Sequence, residues 1–203
     1  GWGRDAYTEV NVHYEIDALL EHLYFHPNTA PFVSKLLIQR LVTSNPSPRY
    51  VKSVVTAFRS GKYGARTFSG KYGDVRATIY AILIDAEARS VTLDADITNG
   101  QLREPVLKIV HMLRALEYKP FDRREVSMPA LDKKIGQAPY RAPSVFGYYL
   151  PEYVPAGVIG KNGLVSPETE IFTTPNVIGF YNGITSFLDY GLTHCSSGFG
   201  DMY

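Results

Sequence analysis

One cysteine, Cys195, is all the thiol chemistry in this sequence. A lone cysteine excludes an internal disulfide and, with no second thiol, a zinc knuckle. No redox pair, phosphate-loop glycine spacing or G-x-S-x-G nucleophile elbow occurs. Net charge is scarce as well. Lys and Arg outnumber Asp and Glu by only 21 to 20, which leaves no global positive field for a phosphate backbone and argues against nucleic acid as a partner. No run of about 18 apolar residues is present, so no segment is long and greasy enough to span a bilayer as a helix. The chain opens at Gly1 without an initiator Met or a leader-like segment, and the expectation is a piece truncated at both ends.

What is present suits a folded domain. Apolar residues make up 45% and charged residues 20% of 203 positions, far from the composition of disorder. From Asn11 to Phe25, Val12, Ile16, Leu19, Leu20 and Leu23 recur at helical spacing, and His26-Pro27 closes that helix. Asn28 or Thr29 caps a second helix, with the stripe Phe32, Val33, Leu36, Leu37 and Leu41. Ser47-Pro48 starts a third, marked by Tyr50, Val51, Val54, Val55 and Phe58.

Gly61-Lys62-Tyr63-Gly64 returns as Gly70-Lys71-Tyr72-Gly73, a repeat too short for a solenoid. Asp74 caps a fourth helix in which Val75, Ile79, Ile82 and Leu83 point one way. A fifth runs from Arg103 to Glu117, with Val106, Ile109, Val110, Leu113 and Leu116 on one side. Prolines then accumulate, and Tyr118 to Pro175 reads as extended coil. Thr174-Pro175 restarts a sixth helix with the stripe Val177, Ile178, Tyr181, Ile184, Phe187 and Leu188, stopped at Gly191.

The expected fold is therefore mainly α, an orthogonal or irregular bundle of about six helices with a long proline-rich coil, forming one domain. Residues 11–117 make a five-helix core, 118–174 a loop-rich wrap, 175–191 the C-terminal helix and 192–203 a flexible tail.

His26-Pro27-Asn28-Thr29-Ala30-Pro31-Phe32, the run Leu37 to Pro48, Gly73-Asp74, Asp85-Ala86-Glu87-Ala88-Arg89, Leu102-Arg103-Glu104-Pro105, Ser144-Val145-Phe146, Pro151-Glu152-Tyr153 and Pro167-Glu168 resemble, in order, the blocks of the family known as domain of unknown function 1800. Lys62 to Phe68 departs from that pattern as a longer loop. The resemblance implies the C-terminal half of a longer helical protein, exported to the periplasm or the outside of the cell, with a sulfatase-like partner protein. It implies no established activity, and the chain calls for no cofactor.

Several polar residues invite chemistry. His22 and His26, four apart, have metal-ligand spacing, but a helix-breaking proline follows, and a structural His26 bonding a loop carbonyl outweighs a metal site. Asp85, Glu87 and Arg89 close helix four while Arg103 and Glu104 open helix five. Two carboxylates held close split their pKa values and share acid and base roles; the alternative is ion pairing of Glu87 or Glu104 with Arg40, Arg103 or Arg114. Asn28 and Asp74 are expected caps. Phe146, Tyr148, Tyr149 and Tyr153 cluster in the coil, as a binding surface or as cover for the core. Ser144 and Cys195 lack the context of nucleophiles.

Two readings follow. One is an exported helical scaffold or interaction module acting with a partner protein or an extracellular polysaccharide. The other is a hydrolase-like enzyme using His26, Asp85, Glu87 and Glu104, its site completed by residues of an N-terminal half outside this chain. Catalysis requires at least two of these to line one solvent-reachable pocket; scaffolding requires them buried against Arg40, Arg103 or Arg114.

Overall fold

A computed structural model of the chain describes residues 6–91, 95–120 and 125–200. Asp94 and the last three residues of the expected tail lie outside the described residues, as does the side chain of Cys195. The fold is mainly helical, with one two-stranded hairpin among the described residues. It divides into two compact units, residues 1–99 and 100–203. Among the described residues, buried side chains gather in two clusters in the first unit and one in the second.

The first unit begins with α1 (Ala6–Tyr24), α2 (Thr29–Leu41) and α3 (Pro48–Ser60). Ser47 caps α3 by accepting the Tyr50 N–H at 3.2 Å, with Pro48 in the first turn, where its missing donor has no cost. Gly61, at φ 62°, ends that helix in the left-handed conformation and opens the hairpin of β1 (Lys62–Tyr63) and β2 (Arg66–Thr67), which occupies the longer loop. Asp74 then caps α4 (Val75–Ile84) through the Ala77 N–H at 2.8 Å. The short α5 (Ala86–Arg89) follows.

Ile38, Tyr50, Val54, Ala57, Ala77, Ala81 and Ile82 form the main cluster, and the Tyr50 hydroxyl donates to the Ile82 carbonyl at 2.6 Å. The packed face of α4 differs from the expected stripe. Ala77, Thr78, Ala81 and Ile82 are buried, while Val75, Ile79 and Leu83 remain exposed. Small side chains let α4 approach its neighbours closely, and in a helix apolar nearly all round the large residues are left over. On α2, likewise, Ala30, Ser34, Ile38 and Gln39 are buried, whereas Phe32 and Leu41 are exposed.

In the second unit α6 (Pro105–Ala115), α7 (Leu131–Ile135), α8 (Val158–Lys161), a 3-10 turn over Pro167–Glu170 and α9 (Thr174–Tyr190) surround Ile109, Leu131, Ile135, Ala138 and Phe199. The expected coil thus contains three short helical pieces. A Cβ at Gly179 would run into the Lys134 carbonyl, and one at Gly183 into the Phe199 ring. These glycines make the seat on α9, so Gly183, Ser186 and Phe187 are buried while Ile178, Tyr181 and Leu188 face water. The tail is anchored to this seat, with Phe199 only 1% exposed. One aromatic ring filling a glycine notch outweighs the polar residues around it.

Candidate functional site

In the first unit the end of α4 turns Asp85 inward. Its carboxylate receives a forked pair from Arg49, Nη1 to Oδ2 at 3.2 Å and Nη2 to Oδ1 at 2.6 Å. The Tyr63 hydroxyl donates to Oδ2 at 3.2 Å and the Glu87 N–H to Oδ1 at 2.9 Å. Burial pushes the Asp85 carboxyl up, but the hydrogen bonds from Arg49 and Glu87 outweigh it and hold the group below the usual range. The same bonds raise the Arg49 guanidinium further above its ordinary value. Glu87 accepts from Arg49 Nη2 at 3.1 Å, from the Ser47 N–H at 2.8 Å and from the Ser47 hydroxyl. Glu87 therefore completes from α5 the capping box that the sequence of α3 lacks.

In the second unit Glu104 stands at the N-cap position of α6 without capping it through its own side chain. Gln137 does so by proxy, accepting from the Val106 N–H at 3.2 Å and donating its amide to Glu104 Oε2. The Tyr149 hydroxyl lies 2.5 Å from Glu104 Oε1 and 3.5 Å from Oε1 of Glu168. Gln101 donates to that same Glu168 oxygen at 3.2 Å. A hydroxyl has one proton to give, so Tyr149 couples two carboxylates through a single donor. Glu168 is only 1% exposed.

The other expected residues are spread apart. His26 is exposed and its Nδ1 accepts the Asn28 N–H at 3.3 Å, with His22 a ring contact 6.3 Å away. Asn28 occupies the N-cap of α2 but makes no side-chain capping bond. Asp74 accepts the Ser69 and Ala77 N–H groups. Arg40 is half-buried on α2 and Arg89 is exposed without an ion pair among the described residues. In the coil Tyr149 is buried, Tyr148 donates to the Ala138 carbonyl, Tyr153 is half-buried and Phe146 is exposed. Among the described residues no three His, Cys, Asp or Glu side chains gather as a metal site.

Asp85 and Glu87 are thus brought together, while Glu104 belongs to the second unit. The cation that Glu87 takes is Arg49, a residue the sequence did not single out. Over the same stretch the sequence carries a family pattern: residues 4–186 match the family described as protein of unknown function (DUF1800). The chain belongs to the DUF1800 family. No curated protein and no solved structure matches it.

Two features of this DUF1800 chain escape sequence reasoning about its polar residues. Arg49 sits in the first turn of α3, where the helix dipole disfavours a cation, and that anomaly was the one available signal of carboxylates close by. Glu168 lies in a proline-bounded 3-10 turn with no periodicity to mark it as buried.

Further exposed surfaces lie elsewhere. On α1, Val12, Ile16, Leu19, Leu20 and Leu23 are each 48–58% exposed, and every described residue from Asn11 to Asn28 is exposed. The helix is tied down at its foot: Tyr24 and Tyr72 exchange hydroxyl-to-carbonyl bonds at 3.0 Å, and the Thr29 hydroxyl donates to the Leu23 carbonyl at 2.6 Å. On α6, Arg103, Leu107, Lys108, Val110, His111 and Arg114 line a hollow of about 540 Å³. A second hollow of about 400 Å³ beside β1 is lined by Arg49, Lys52, Thr56, Lys62 and Tyr63. Neither contains His26, Asp85, Glu87 or Glu104.

Proposed function

We propose that this DUF1800 chain is an interaction module that holds a protein partner through the bare apolar stripe of α1. The observation carrying this reading is the exposure of five large aliphatic side chains in one row of a 19-residue helix. Helices draw most of their stability from packing an amphipathic face. Covering the exposed half of five such side chains contributes on the order of 5 kcal/mol. An aliphatic row suits another protein's apolar face better than a polysaccharide, which calls for aromatic stacking faces and polar groups. The family resemblance adds an exported setting and a sulfatase-like protein as the first foreign partner to try.

A photo-crosslinking residue tests this in the producing cell. Placed at Leu20, in the stripe, it is expected to capture a protein; placed at Glu21, on the opposite face, it is not. Equal capture at both positions, or none at either, would count against the module.

The hydrolase-like reading keeps one favourable observation, the Glu104–Tyr149–Glu168 cluster. Paired carboxylates are acid and base material. Burial of Glu168 favours a locking role instead. Glu168→Gln distinguishes the two: a lock loses stability, whereas a catalytic group leaves stability unchanged or raised.

A further inference from the structure

The stripe on α1 has a chemical complement within the same chain. From Asn11 to Phe25 the segment carries Glu15, Asp17 and Glu21 and no Lys or Arg. At 100° per residue, Glu15 and Asp17 fall on either side of the row Val12, Ile16, Leu19, Leu20, Leu23. The exposed face of α6 is the inverse. Leu107, 48% exposed, and Val110 are surrounded by Arg103, Lys108, His111 and Arg114 over the hollow of about 540 Å³. Glu104, the one acid from Arg103 to Arg114, turns instead to Tyr149 and Gln137. None of the four basic side chains makes an ion pair among the described residues; Lys108 lies over the Phe172 ring at 4.7 Å.

Resting on the interaction-module reading, we infer that the partner is a second copy of this chain, with α1 of one copy seated on the α6 hollow of the other. An amphipathic helix docks by laying its aliphatic row into an apolar groove while charges at the rim fix the register. Carboxylates beside the row of α1 meet cations beside the groove of α6. A second copy presents both halves of this match, the acid-rimmed row of α1 and the base-rimmed groove of α6.

Light scattering on the eluting full chain, over a wide concentration range, reads this directly. The wild type is expected to run above one chain mass. Reversing the rim on α1 (Glu15→Lys with Asp17→Lys) or on α6 (Lys108→Glu with Arg114→Glu) is expected to weaken self-association roughly tenfold or more, as like charges facing each other do. Joining both reversals in one chain restores it. Glu15, Asp17 and Arg114 are exposed and Lys108 is half-buried over the Phe172 ring, so circular dichroism confirms that each variant keeps its helices. A wild type that stays at one chain mass, or reversals that fail to compensate each other, overturns the inference. Capture of a different protein by the Leu20 crosslinker from a chain of single mass leaves the interaction module standing and removes the self-partner alone.

Discussion

Arg49 stands in a helix's first turn, where its charge opposes the dipole, and is held there by Asp85 and Glu87. Its side chain is 58% exposed while that of Asp85 is 3% exposed. Removing Arg49 leaves a buried carboxylate with only the Tyr63 hydroxyl and the Glu87 N–H as donors. Arg49→Ala is therefore expected to destabilise the first unit by about 1–3 kcal/mol, less than a fully buried pair because more than half of the Arg49 side chain is already in water. Denaturant unfolding at neutral pH checks this, and a variant as stable as the wild type would remove Arg49 from the fold's supports. The pH dependence has a definite sign. The Asp85 carboxyl is held down in the folded state, so its stabilisation is present above the unfolded aspartate value of about 3.9 and drains away as pH falls through the folded value. Asp74, held to about 2 by hydrogen bonds from Ser69 and the Ala77 N–H, loses its contribution over the same acid range. Unfolding midpoints are expected to fall steeply below about pH 4 in the wild type and less steeply in Arg49→Ala and Asp74→Asn. Identical acid limbs in all three chains would contradict the assignment.

At the scale of elements, α3 shows how a cap is shared. Ser47 takes the Tyr50 N–H, and Glu87, reaching from α5, takes the Ser47 N–H. Ser47→Ala removes the cap and one partner of Glu87, with an expected cost of about 1–2 kcal/mol by denaturant unfolding. Ser47→Asp, although able to cap, sets a second carboxylate against Glu87 and is expected to recover little of the loss; full recovery would refute the role given to Glu87. The caps and stops were legible in the sequence because Ser47-Pro48, Gly61 and Asp74 act locally, within a few residues of their partners. The buried faces were harder to read. Counting large apolar residues picks Val75, Ile79 and Leu83 on α4 and Ile178, Tyr181 and Leu188 on α9, yet close approach selects Ala77, Ala81 and Gly183. Helical periodicity says where a stripe runs, and only the neighbour's shape says which stripe is used. Arg49 and Glu168 stayed hidden for a related reason, because their partners lie 36 and 19 residues away.

At the scale of the whole molecule, each unit carries its own buried cluster. The notch at Gly183 that seats Phe199 belongs to the second unit alone. Gly183→Ala is expected to push Phe199 out and to raise amide exchange in α6, α7 and α9, while amides of α2, α3 and α4 keep their protection. Faster exchange across both units to the same degree would mean that the two clusters melt as one.

Because α1 is fastened at its foot through Tyr24, Tyr72 and Thr29, the rod behaves as a lever with its fulcrum at residue 24. A push at its far end is delivered as torque to the aromatic knot of Tyr24, Phe25, Phe58 and Tyr72. Whatever grips the rod gains mechanical access to the turn that leads into α4, where Gly73 leaves just enough room for the Tyr24 hydroxyl.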